Sequence, residues 1–325
     1  MKLATLNDGS RDGQLVVVSR DLTSAHYATG IANHLQQVLE DWNFYSPQLQ
    51  DLYDTLNHGK ARHAFAFEPS QCLAPLPRAY LFAKGDAFAT AGDSKDQVRS
   101  LHLLFGDALQ GPCTPLKNDN RAQMTDFDAG IAVITGDVAQ AATNGQAIEA
   151  VRLLMLVNHV HLRGPSGDVA RLHAAIPCSV FSPVAVTPDE LVWGGESAWS
   201  QGRLNLTLQC NVNGRKLGLC DTGSDMVVPF GELISKLGQL RDVRAGSILS
   251  SGEVRNLDSS RGFCSIAARR SHEAAQNGTS ATPWLAQGDH VLIDMKGRDG
   301  QSVFGAIDQQ VHIGPQPKPA AEGAR

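Results

Sequence analysis

The feature that most constrains this fold is a succession of short apolar runs, each cut off by Gly or Pro, that begins after Gln71-Cys-Leu-Ala-Pro-Leu-Pro77. The runs at 127–138, 179–186, 204–212, 247–249 and 291–295 have the length and β-branched content of strands rather than helices. Such a chain must bury its strands against one another, so the expected class is α+β, mainly β, with few helices.

The first 72 residues read as a small N-terminal domain. Leu15-Val-Val-Val18 is a buried-strand run, and two packing helices follow it. The first places Ile31, Leu35, Val38, Leu39 and Trp42 on one face. The second is expected to take Ser46 as N-cap and Pro47 as its first helical residue, and to end at Gly59. Residues 73–313 form the main domain, with a helix expected from 145 to 155 that leads into a strand at 156–162. The tail 314–325 is rich in Pro, Gly and Ala, lacks core residues and is expected to be disordered.

Charge and cysteine usage narrow the partners. A net charge of −5 with scattered Lys and Arg offers no stripe that could follow a phosphate backbone, so no nucleic-acid partner is expected. The six cysteines show no C-x-x-C spacing and read as reduced thiols in a cytoplasmic protein. No apolar run approaches the ~20 residues of a membrane span, so no membrane partner is expected.

Asp221-Thr-Gly-Ser224 looks like the active-site loop of a retroviral-type aspartic protease, in which two carboxylates share one proton. That chemistry needs a second such loop or a dimer of protease-sized domains, and neither is visible. The simpler expectation is a strand-to-turn junction, in which Asp and Ser bond local backbone and Gly takes a positive φ.

Read further, the same stretch continues as Asp225-Met-Val-Val-Pro-Phe-Gly-Glu-Leu-Ile-Ser235, Leu240-Arg-Asp-Val-Arg-Ala-Gly-Ser-Ile-Leu249 and Ser251-Gly-Glu-Val-Arg-Asn256. Leu76-Pro-Arg-Ala-Tyr80, Phe127-Asp-Ala-Gly-Ile-Ala-Val-Ile-Thr-Gly-Asp-Val138, Phe181-Ser-Pro-Val-Ala-Val186 and Ser302-Val-Phe-Gly-Ala-Ile-Asp308 are collinear with it. In this order the chain resembles bacterial proteins of the fumarylacetoacetate hydrolase (FAH) superfamily. The resemblance implies a small N-terminal domain followed by a mixed β-sandwich roll, a homodimer, and a small keto- or diketo-acid substrate. It also implies Mg²⁺ or Ca²⁺ held by carboxylates, polarising the substrate while a His-activated water attacks.

Most positions that carry this chemistry in the family are altered here. A ligand Asp and the catalytic His correspond to Lys84 and Ala91, and the E-x-E pair corresponds to Asp128 and Gly130. The Asp of V-N-D-V-S-L-R corresponds to His159 in Val157-Asn-His-Val-His-Leu-Arg163, with His161 in place of Ser. The active-site Lys corresponds to Ile176, the Thr of G-S-G-T to Glu253, and a family Arg to Arg99. A carboxylate at 253 would repel an acidic substrate unless something pairs it. With the Mg or Ca site degenerate, no cofactor is expected.

Three readings remain open on sequence. In the first, His159 paired to Asp128, with Lys84 as resident cation, runs metal-independent acid–base chemistry (C–C hydrolysis, decarboxylation, tautomerisation or cyclisation), while His161, Glu253 and Arg99 contact substrate. In the second, His159, His161 and Asp128 form a rebuilt two-His, one-carboxylate metal site. In the third, catalysis is lost and Lys84–Asp128 is a salt bridge in a binding or scaffold protein.

Overall fold

The computed structural model describes residues 1–90, 100–119, 123–164, 176 and 178–314. The tail beyond Gly314, together with Ala91 and Arg99, lies outside the described residues.

The apolar runs assemble into two main sheets. Strands β1 (Lys2–Leu6), β2 (Gln14–Val18), β3 (Ser24–Tyr27) and β4 (Phe65–Ala66) come from the N-terminal region. They continue into β5 (Phe82–Gly85), β6 (Leu101–Leu104), β8 (Met124–Thr135), β9 (Val151–Arg163), β10 (Cys178–Phe181), β11 (Val184–Val186) and β18 (Ser247–Ser250), in the order β4-β3-β2-β1-β11-β9-β8-β18-β5-β6 with β10 also on β9. The second sheet has the order β17-β16-β19-β20-β7, from Arg215–Asp221, Thr207–Val212, His290–Lys296, Ile307–Ile313 and Leu116–Asn118. Two short hairpins pair β12 (Val192–Trp193) with β13 (Glu196–Ser197) and β14 (Trp199–Ser200) with β15 (Arg203–Leu204). Most pairings are antiparallel, but β18 on β5 and β20 on β7 are parallel, so both sheets are mixed.

The pair β8 and β9 forms the spine of the larger sheet, and its residues 125–134 and 153–160 are buried on both faces. Two-faced burial hides the period-two signature, because inward and outward positions are alike apolar. This explains why the helix expected at 145–155 is shorter than its periodicity suggested. Thr143 and Gln146 form a reciprocal capping box for Asn144–Glu149, and at Val151 the chain becomes strand. Val151-Arg-Leu-Leu-Met satisfies helix spacing by chance of composition, while pairing with β8 and β11 decides its conformation.

The helix expected to start at Ser46 instead begins at Trp42, separated from Leu35–Glu40 by Asp41 alone, and carries Pro47 inside it. It ends as expected, with Gly59 at φ 67°. Two later helices, Phe230–Leu237 and Ile266–Asn277, pack on the roll. The second is capped by Ser265, whose hydroxyl accepts from Ala268 N–H, and closes on Gly278 in the left-handed region.

The Asp-Thr-Gly loop is structural. Asp221 Oδ1 accepts from the backbone N–H groups of Gly223 and Ser224 and from the Ser224 hydroxyl, at 2.6–2.9 Å. One detail corrects the sequence reading. Gly223 is not at positive φ; a Cβ there would lie 2.1 Å from Asn205 Oδ1, so the Asn205 side chain would have to shift.

Candidate functional site

Register places the altered residues on one face of the large sheet. Asp128 on β8 lies opposite His159 on β9, and Asp126 lies opposite His161. Lys84 on β5 lies opposite Ser250 on β18. Residues two apart on a strand share a face, so Asp126, Asp128, His159, His161 and Arg163 all project to the same side.

Lys84 Nζ donates to Asp128 Oδ2 at 2.6 Å, and His161 Nε2 lies 3.1 Å from the same oxygen. All three side chains are largely buried. Burial alone would raise the Asp128 pKa, but the Lys84 ammonium, the His161 hydrogen bond and the nearby imidazoles hold it well below the usual carboxylate range. Asp128 is therefore an anion that can only accept, so His161 Nε2 donates the hydrogen bond between them. Asp128 Oδ1 is buried and has no hydrogen-bond partner among the described residues.

The expected His159–Asp128 hydrogen bond does not form. His159 is fully buried, with Nδ1 at 2.8 Å from Ser179 Oγ and Nε2 at 2.8 Å from Ser250 Oγ. Its ring stacks on Phe82 with centroids 5.8 Å apart. Direct register with Ser179 on β10 brings that hydroxyl level with the ring, and the serines take both nitrogens before Asp128 can. Burial first, and then the Lys84 ammonium, push its pKa well below the ordinary imidazole value, so it is neutral at pH 7. His161, rather than His159, is the histidine that contacts Asp128.

A folded-state pKa below the unfolded value of about 6.5 means that the unfolded chain binds the His159 proton more readily. This contribution to stability is complete above about pH 6.5 and falls by up to about 1.4 kcal/mol per pH unit below it. Thermal melting from pH 7 to pH 5 should show this decline in the wild type and a shallower one in His159→Gln. Parallel curves for the two proteins would contradict it.

Glu253 is buried and paired: Arg255 contacts its Oε2 at 2.6 and 2.8 Å, and the Ser265 hydroxyl donates to Oε1. Burial and the Asp128 anion raise its pKa, while Arg255 and Ser265 oppose that rise. The repulsion a carboxylate at 253 would offer an acidic ligand is thus met from within. Asp126 accepts from the N–H groups of Ile266 and Ala267 at the start of helix Ile266–Asn277 and from Arg163 Nε at 2.7 Å. Sequence reasoning missed Ser179, Ser250, Arg255, Asp126 and Arg163. The last two could have been found by extending the strand alternation two residues past Asp128 and His161.

These donors do not fit the divalent ion that the family implies. Lys84 puts an ammonium on the surviving carboxylate, and both His159 nitrogens are held by serines. Gly130, which stands at a family carboxylate position, cannot carry one, because a Cβ there would lie 2.3 Å from Gly252 O. Ile176 supplies only a buried apolar side chain. Among the described residues no three His, Cys, Asp or Glu side chains are disposed to hold an ion.

Two family models match the chain: fumarylacetoacetase N-terminal domain 2 over residues 1–78, and fumarylacetoacetate (FAA) hydrolase C-terminal over residues 78–312. Among solved structures, the chain is similar to maleylpyruvate hydrolase from Sphingobium sp. SYK-6, at 16% identity and a TM-score of 0.67, covering 97% of this chain and 100% of that one. The same hydrolase has also been solved in complex with manganese(II) ion and pyruvate. The fumarylacetoacetate hydrolase of psychrophilic Exiguobacterium antarcticum is 16% identical, with a TM-score of 0.64 over 96% of this chain and 99% of that one. The 5-carboxymethyl-2-hydroxymuconate delta-isomerase of Mycobacterium smegmatis is 14% identical, with a TM-score of 0.61 over 97% and 100%. At these identities the likeness shows the fold. No curated protein matches the sequence.

Proposed function

Because this chain belongs to the fumarylacetoacetate hydrolase family, we propose that it acts on a small keto or diketo acid by acid–base chemistry that does not use a metal ion. The reading rests on one observation: Asp128 Oδ2 takes both Lys84 Nζ and His161 Nε2 at hydrogen-bond distance. An imidazole oriented by a carboxylate is a proton-transfer unit, and a neighbouring ammonium can stabilise an oxyanion.

In this scheme His161 Nδ1 removes a proton from the carbon next to the substrate's keto group. The electron pair moves onto the keto oxygen, and the Lys84 ammonium stabilises the resulting enolate. The imidazolium so formed is stabilised by Asp128 and returns the proton to carbon or oxygen. Tautomerisation, decarboxylation, cyclisation and C–C cleavage of a β-diketo acid all draw on such a stabilised enolate. His159 supports this unit from beneath as a fixed neutral ring.

Turnover of an acylpyruvate or related keto acid should survive exhaustive dialysis against EDTA with less than a twofold loss. Activity that disappears on chelation and returns with Mg²⁺ or Mn²⁺ would overturn the metal-independent reading.

We also propose a homodimer, supported by the exposed Leu103 on edge strand β6, with exposed Phe105 just past its end and exposed Tyr80 beside it; β6 pairs only with β5 among the described strands. Leu103→Lys should shift the mass in light scattering towards the monomer; an unchanged dimer would remove this face from consideration. A cytosolic location is supported by the six free thiols. No described helix is long and apolar enough to cross a membrane.

A further inference from the structure

A cleft of about 600 Å³ opens between helix Ile266–Asn277 and the segment from Glu253 to Leu257. That volume falls in the range of sites that hold drug-sized ligands, larger than a three- to five-carbon keto acid requires. Its floor is apolar, with Val254, Phe263, Ala267, Ala268 and Ala275, and Arg163 stands on its wall.

The cleft borders the candidate site through two of its lining residues, Arg163 and Glu253. Arg163 lies two residues beyond His161 on the same side of β9, about 7 Å along the strand. At the other edge Gly252 leads directly into Glu253, and a Cβ on Gly252 would lie 3.5 Å from Lys84 Cε. Arg163 spends its Nε on Asp126, and its two terminal nitrogens make no hydrogen bond among the described residues. A guanidinium edge of this kind suits a carboxylate.

We propose that the cleft holds the acyl chain of a medium- to long-chain 2-oxo acid whose reacting end sits at Lys84 and His161. The proposal rests on the functional reading above and specifies its substrate class. At a ketone carbon both substituents point away from the oxygen. With the oxo group at Lys84, the carboxylate and the chain diverge on the far side of the ketone carbon, and Arg163 is the proposed partner of the one and the apolar floor of the other. A short keto acid would meet the same charged groups but leave that floor in water.

The test is calorimetric binding of pyruvate, 2-oxohexanoate and 2-oxodecanoate to the full-length protein, with decanoate as a control. A buried methylene is worth up to about fourfold in affinity, so the series should tighten by at least about a hundredfold from pyruvate to 2-oxodecanoate. Decanoate should bind at least about tenfold more weakly than 2-oxodecanoate, because it lacks the oxygen that Lys84 holds. Ala268→Trp, or Ala275→Trp at a more exposed turn of the same helix, should flatten the series. Affinity that does not rise with chain length, a rise that survives both tryptophans, or equal binding of decanoate would each overturn the assignment. A flat series with pyruvate still bound removes the tail site alone. A steep series from a protein that catalyses no proton transfer removes the chemistry and leaves the tail site standing.

Discussion

Replacing Asp128 by alanine is expected to lower the unfolding free energy by about 3–5 kcal/mol, the range seen when one partner of a buried ion pair is removed. Lys84 would keep its charge in a largely buried position with its anionic partner gone. The size of the effect comes from the stranded ammonium rather than from the intrinsic worth of the pair. The double variant Lys84→Met with Asp128→Leu should consequently be much less destabilised than Asp128→Ala alone, since no charge remains to be solvated. Urea denaturation of the three proteins measures this directly. A loss below about 1 kcal/mol in Asp128→Ala would show that Lys84 escapes to water and does not act as a resident cation.

The second large effect separates the two histidines. His161→Gln should lower turnover by about 10²- to 10⁴-fold, the usual contribution of a positioned acid–base group, with little change in stability. His159→Ala should do the reverse at the level of folding. It removes a buried ring stacked on Phe82 and orphans the Ser179 and Ser250 hydroxyls, for a loss of about 3 kcal/mol. Rate measured per folded molecule, alongside denaturation midpoints, distinguishes the roles. Equal losses of rate per folded molecule in both variants would mean that His159 also takes part in proton transfer.

Much of the frame was legible in the sequence because strand length, Gly and Pro punctuation and collinear motifs all point the same way. The strands around 15–18, 127–135, 207–212, 247–250 and 290–296 lie where their apolar runs suggested. The start of β9 was not legible, because Val151-Arg-Leu-Leu-Met is apolar on both faces and fits either period. At the site, the Lys84–Asp128 pair follows from charge compensation alone, which a sequence position can reveal. The choice between His159 and His161 turns on Ser179 and Ser250, which arrive from β10 and β18 and are distant in sequence. Motif alignment identifies which side chains share a face but not which neighbour takes each hydrogen bond. The pairing of Glu253 by Arg255 is local, two residues apart, and could have been inferred from the spacing.

The most direct test of the central claim is proton–deuterium exchange at C3 of a 2-oxo acid in D₂O, followed by NMR with EDTA present throughout. Metal-independent enolisation predicts catalysed exchange by the wild type that His161→Gln abolishes and His161→Gln with added Mn²⁺ does not recover. Exchange that requires a divalent ion, or that persists undiminished in His161→Gln, would contradict it.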